Sequence, residues 1–143
     1  MRILIVDDDY VSRTKLQALL SAYGDCDTAD DGDQALEMFR KAYLHSEGYD
    51  LITLDIDMPG LNGHEVLKTI REYVPQIKEY KEGKEPKILI VTNMKSRTDY
   101  VHSFREGCAG YLKKPITPEN LKDSLTKVGI RKPVETGSSC AKK

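Results

Sequence analysis

Apolar residues along this chain follow two rhythms. Short runs of β-branched residues and leucine occupy Arg2–Val6, Asp50–Leu54 and Lys87–Thr92, with weaker runs at Cys26–Ala29 and Gly110–Lys113. Continuous runs of this kind mark strands buried on both faces of a parallel sheet. Between them, apolar positions return at helical spacing: Val11, Leu16, Leu19 and Leu20; Ala35, Leu36, Met38, Phe39 and Ala42; Val66, Leu67 and Ile70; Leu121, Leu125 and Val128. Asp9 is read as the cap of the first helix and Gly24 as its stop. Asp31-Gly32-Asp33 opens the second helix and Gly48 ends it, while Gly63 starts a third with Pro75 beyond its end. Ser96 caps a fourth helix through Glu106. Thr117-Pro118-Glu119-Asn120 is a strong start for the fifth, with threonine at the cap and proline at the first helical position.

Strands that each lead into a helix predict an α/β fold: a doubly wound, five-stranded parallel sheet with helices on both faces and right-handed crossovers. The flavodoxin-like strand order fits this count. Residues 1–130 are expected to form one domain and residues 131–143 a short polar tail. The charged stretch Gln76–Glu85 reads as a solvated elaboration of that domain.

Composition narrows the picture. A chain of 143 residues can build one real core. With 22 Lys+Arg against 23 Asp+Glu, net charge is −1, which gives no case for nucleic acid or an anionic membrane as partner. No apolar run approaches the roughly 20 residues of a membrane span. Met1-Arg2-Ile3 enters a strand at once, so no signal peptide is expected. Cys26, Cys108 and Cys140 are an odd number with no C-x-x-C spacing. They read as reduced thiols of a cytoplasmic protein, with Cys108 in a packing role. His45, His64 and His102 match no zinc spacing and read as surface residues.

The candidate chemistry sits at the strand ends. Ile3-Leu4-Ile5-Val6 runs into Asp7-Asp8-Asp9, and Leu51-Ile52-Thr53-Leu54 runs into Asp55-Ile56-Asp57-Met58-Pro59-Gly60. Sites of open α/β sheets lie outside the carboxyl ends of the strands, so Asp7, Asp8 and Asp55 should meet in one pocket with Thr92 and Lys114. Carboxylates that repel one another call for a cation, and oxygen-only ligands suit Mg2+. Asp55 is the natural nucleophile: a carboxylate needs no base to attack phosphorus, and in-line transfer chiefly needs positioning and charge neutralisation. Lys114 would neutralise an incoming phosphoryl group and Thr92 would donate its hydroxyl to the phosphoryl oxygens.

Ile5-Val6-Asp7-Asp8, Leu54-Asp55-Ile56-Asp57-Met58-Pro59-Gly60, Val91-Thr92 and Gly110-Tyr111-Leu112-Lys113-Lys114-Pro115 together resemble the response-regulator receiver domain, including its CheY-like single-domain form. The resemblance runs from Arg2 to about Val128. It implies Asp55 as phosphoacceptor, Asp8 as a direct Mg2+ ligand, Asp7 as a water-mediated one, and the backbone carbonyl of Asp57 as a further metal contact. It implies Thr92 and Tyr111 as a switch pair, Lys114 as the phosphoryl contact and a cis Lys114-Pro115 bond. It also implies a histidine kinase, a histidine phosphotransfer protein or acetyl phosphate as donor, and a downstream protein effector. That effector would be reached through the surface of the fourth helix, fifth strand and fifth helix, with Arg97, Tyr100, His102 and Lys113 as reporters. Asp57 and Met94 would border the path of the hydrolytic water. The protein is then a phosphoacceptor rather than an enzyme with external turnover. Phosphorylation-dependent homodimerisation is left open. So are three rival readings: a receiver excised from a larger regulator or hybrid kinase, a haloacid-dehalogenase-type phosphatase built on Asp55-Ile56-Asp57, and a pseudo-receiver that only binds.

Overall fold

The computed structural model describes residues 1–44, 48–56, 60, 63–76, 86–93 and 108–130. Strands β1 (Arg2–Val6), β2 (Asp25–Ala29), β3 (Leu51–Leu54), β4 (Lys87–Thr92) and β5 (Gly110–Lys113) form one parallel sheet in the order β2-β1-β3-β4-β5. This is the expected doubly wound, flavodoxin-like arrangement.

Alternation along the strands divides the core in two. Leu4, Val6, Ile52, Leu54, Ile88 and Ile90 face α2 (Gly32–Leu44) and α3 (Gly63–Tyr73), which contribute Phe39, Leu67 and Ile70 among others. Ile3, Ile5, Leu51, Leu89 and Val91 face α1 (Tyr10–Leu20) and the C-terminal helix (Pro118–Lys127), which contribute Leu16, Leu20, Leu121 and Leu125. With both faces covered, the central strands have no solvent-facing side, and their interior is apolar except for the buried Thr53.

Local signals set the helix starts. Asp9 has extended backbone and its carboxylate accepts from the Val11 N–H (3.3 Å) and the Ser12 hydroxyl (2.8 Å). The Ser12 bond holds the Asp9 carboxyl below its ordinary range. Thr117 and Asn120 form a reciprocal box: the Asn120 N–H donates to Thr117 Oγ1 (3.1 Å) and the Thr117 N–H donates to Asn120 Oδ1 (2.8 Å).

Several expectations shift. Val11 belongs to the helical pattern of α1, yet it is 71% exposed, in a first turn that carries none of the helix's buried residues. Pro75 lies beyond the end of α3 as expected, but inside a 3-10 turn, Val74–Gln76, rather than a loop. His64 is half-buried in the first turn of α3, with Nε2 withdrawn from solvent, so it is not an exposed surface histidine. Cys108 is buried in the α2/α3-side core, as its packing role required. The expected fourth helix Ser96–Glu106, the segment 77–85, His45 and His102 lie outside the described residues. No helix among the described residues is long and apolar enough to cross a membrane.

Candidate functional site

Strand register builds the site. Val6 pairs with Leu54, so the residues that follow them, Asp7 and Asp55, leave the sheet side by side. The ladder continues for one step beyond the strands: the Asp7 N–H donates to Ala29 O (3.1 Å), the Asp55 N–H to Val6 O (3.0 Å) and the Lys114 N–H to Thr92 O (2.9 Å). Backbone hydrogen bonds therefore position Asp7, Asp55 and Lys114 before their side chains interact.

One oxygen each of Asp7, Asp8 and Asp55 lies within 4.8 Å of the other two. Asp7 and Asp55 are buried, at 0% and 4% exposure, whereas Asp8 opens to solvent. The Lys114 ammonium bridges the buried pair, 2.9 Å from Asp7 Oδ2 and 3.4 Å from Asp55 Oδ2. Burial alone would lower the ammonium pKa. The hydrogen bond to Asp7 and the fields of Asp55 and Asp7 outweigh it and hold Lys114 above its usual value. The second Asp7 oxygen accepts from the Asp9 N–H at 2.9 Å.

Two devices fix the surrounding loops. The peptide between Lys114 and Pro115 is cis, and Asn120 Nδ2 donates to Pro115 O at 3.0 Å, tying the loop after β5 to the capping box. On the other side, α3 begins hard against the Asp55 backbone. A Cβ on Gly63 would stand 2.5 Å from Asp55 O and 2.6 Å from Ile56 Cα, and the Gly63 N–H donates to Ile56 O at 3.1 Å. Only glycine permits that approach.

Of the remaining predicted residues, Thr92 ends β4 fully buried. Tyr111 is half-buried in β5 and packs against the α2/α3-side core, and Lys113 is exposed beside it. Asp57, Met94, Arg97 and Tyr100 lie outside the described residues. Sequence reading missed Arg13, whose Nη1 donates to the Asp7 carbonyl at 2.8 Å. A signal existed: a cation in the first turns of a helix opposes the helix dipole and needs a local reason to be there.

The donor set suits a hard divalent cation. It is all oxygen, drawn from two strand ends, with one carboxylate open to solvent where ion and water can enter.

Comparison with known proteins identifies the family. The chain matches the family model described as the response regulator receiver domain over residues 3–126. It is 34% identical to the chemotaxis protein CheY of Pseudomonas aeruginosa over 130 residues, covering 90% of this chain and 95% of that protein. It is 35% identical to CheY-3 of Vibrio cholerae, covering 90% and 91%. The solved structure of chemotaxis protein CheY4 of Vibrio cholerae superposes with a TM-score of 0.73 at 31% identity, covering 89% of this chain and 97% of that one. The chain belongs to the response regulator receiver domain family of two-component signalling, with a CheY-like fold.

Proposed function

We propose that this protein accepts a phosphoryl group on Asp55 from a histidine kinase, a histidine phosphotransfer protein or acetyl phosphate, and thereby switches a surface read by a protein effector. The observation that carries the reading is the Lys114 ammonium lying between the buried Asp7 and Asp55 carboxylates, with Asp8 beside them. Asp55 is the nucleophile. Its backbone is held by the bond from the Asp55 N–H to the Val6 carbonyl and by the close approach of the start of α3, so the residue that carries the nucleophile is positioned at no cost in loop ordering.

Asp8 and Asp55, with Asp7 behind and the Asp57 carbonyl as a further contact, are the residues that would hold Mg2+. When bound, the ion supplies neutralisation of the charge on the transferring group. Lys114 supplies the second positive charge. After transfer it stays between Asp7 and the phosphorylated Asp55, whose phosphoryl group carries roughly −1.5 to −2 charge in place of the carboxylate's single charge. Thr92 then donates its hydroxyl to a phosphoryl oxygen, and Tyr111 turns further inward beside it. Because β4 and β5 are paired through Thr92 and Lys113, displacement at Thr92 is transmitted to the exposed edge that carries Lys113. The phosphoryl group must favour the active arrangement by about 5.5 kcal/mol to convert a 1:99 population into 99:1.

The receiver is residues 1–130 and residues 131–143 are a polar tail. The protein acts in the cytoplasm, without external substrate turnover and without direct contact to nucleic acid or membrane. A family match spanning residues 3–126 favours this reading over a haloacid-dehalogenase-type phosphatase.

The test is intact mass after incubation with acetyl phosphate, with and without Mg2+, beside Asp55→Asn. One phosphoryl adduct that requires both Mg2+ and Asp55 is expected. An adduct that persists in Asp55→Asn would move the nucleophile elsewhere. No adduct, together with no binding of beryllofluoride, would leave a module that only binds.

A further inference from the structure

Arg13 stands one turn into α1, after the Asp9 cap, in the part of a helix where a positive charge is disfavoured. Its guanidinium nevertheless turns back toward the helix start. Nη1 donates to the Asp7 carbonyl at 2.8 Å, and Cζ lies 5.5 Å from the centre of the Tyr10 ring. Among the described residues, that carbonyl accepts from no backbone N–H, since the β1 ladder ends with the bond from the Asp7 N–H to Ala29 O. Arg13 thus supplies the hydrogen bond that the strand cannot.

The consequence falls on the metal-binding loop. Asp7 and Asp8 are joined through the very peptide whose carbonyl Arg13 holds. The Asp7 side chain is committed on both oxygens, one to the Asp9 N–H and one to Lys114. Asp8 is exposed and makes no hydrogen bond or ion pair among the described residues, so its direction depends on the peptide that precedes it. We propose that Arg13 is a positioning residue for divalent-cation binding: by gripping the Asp7 carbonyl, and being braced in turn by Tyr10, it aims the Asp8 carboxylate into the pocket. This rests on the reading of the pocket as a Mg2+ site.

The sign of the effect separates positioning from simple electrostatics. Removing a positive charge near a cation site would by itself tighten cation binding. Removing a group that orients a ligand weakens binding, typically by 10–100-fold. Mg2+ titrations by calorimetry at fixed ionic strength decide between them, on wild type, Arg13→Met, Arg13→Lys and Asp8→Asn, each accompanied by a metal-free melting curve. The expected result is a roughly tenfold weaker Kd for Arg13→Met. Arg13→Lys should recover most of that loss, because one donor is enough for one carbonyl.

An unchanged or tighter Kd in Arg13→Met overturns the proposal while leaving the Mg2+ site standing, provided that wild type binds and Asp8→Asn does not. A Kd that weakens equally in Arg13→Met and Arg13→Lys, in step with a loss of melting temperature, also overturns it by reducing Arg13 to a fold contact. If wild type itself binds no Mg2+, the reading of the site fails and the proposal falls with it.

Discussion

The two ends of the central strands carry opposite electrostatic designs. At the amino end, Arg2 Nη2 meets Asp27 Oδ2 at 2.9 Å, the Tyr49 hydroxyl donates to that same oxygen at 2.8 Å, and the Arg2 N–H donates to Asp50 Oδ2 at 2.7 Å. The guanidinium also lies 4.9 Å from the centre of the Tyr49 ring. Asp27 and Asp50 thus each have a donor. At the carboxyl end, three carboxylates crowd within 4.8 Å and only the buried two, Asp7 and Asp55, share the Lys114 ammonium, with the Arg13 guanidinium on the backbone behind them. At about 4 Å and an effective dielectric near 20, a like-charge pair costs about 4 kcal/mol before relaxation. The amino end holds the fold together, and the carboxyl end draws on that stability to keep a surplus of negative charge of the kind that suits a hard cation.

Removing the shared ammonium should do the most damage. Lys114→Met leaves Asp7 and Asp55 buried with nothing between them, and its metal-free stability should fall by about 3 kcal/mol in urea unfolding. Mg2+ should return much of this loss, so the gain in melting temperature on adding Mg2+ should be larger for the variant than for wild type. Equal gains would mean that Lys114 and the cation do not answer the same charge. Gly63→Ala should come next, at about 2 kcal/mol, because its Cβ would strike the Asp55 carbonyl. Its rate of phosphorylation by acetyl phosphate should drop as the Asp55 loop is pushed aside. A full rate with reduced stability would separate the start of α3 from the placement of Asp55.

What could be read from the sequence follows the same division. The strand runs and the acids that end them announced the meeting of Asp7, Asp8 and Asp55, because burial on both faces makes the point where the apolar run stops the point where the sheet stops. Asp9 and Thr117 were readable as caps because capping is local in sequence. The amino-end network was not readable. Arg2, Asp27 and Tyr49 are 25 and 22 residues apart along the chain, and their meeting depends on the β1–β2 register and on the loop before β3. Val11 fits the apolar pattern of α1 yet is exposed, since periodicity names a helix face but not where along its length the helix leaves the core. His64 and Arg13 escaped for a related reason. Each is placed by the way a helix start packs against a strand end, which no spacing rule encodes.

The same chemical change should have opposite signs at the two ends. Asp27→Asn loses the ion pair with Arg2 and weakens the bond from Tyr49, and should cost about 1 kcal/mol. Asp8→Asn removes one of three repelling charges and should raise metal-free stability by a similar amount, about 1 kcal/mol. Unfolding of both variants in urea, in the presence of a chelator, checks the pair. If both lose stability, the carboxylates of the pocket are already balanced and the contrast between the ends disappears.

The smallest effect tests the amino end by pH. Burial, then the hydrogen bond to Asp27 and the charge of that carboxylate, push the Tyr49 phenol well above its ordinary pKa, against the opposing field of Arg2. A phenol raised in the folded state favours folding while it is neutral. Its contribution is complete below the unfolded value of about 10 and is lost as pH climbs above that, where only the unfolded chain ionises. Wild type should therefore exceed Tyr49→Phe in stability by about 1 kcal/mol near neutral pH. The difference should shrink between about pH 9 and 11. Tyr23, which burial also raises, is present in both proteins and cancels in the comparison. A gap that stays constant across that range would show that Tyr49 contributes by packing alone. The amino end would then be held by the Arg2 pairings rather than by one connected network.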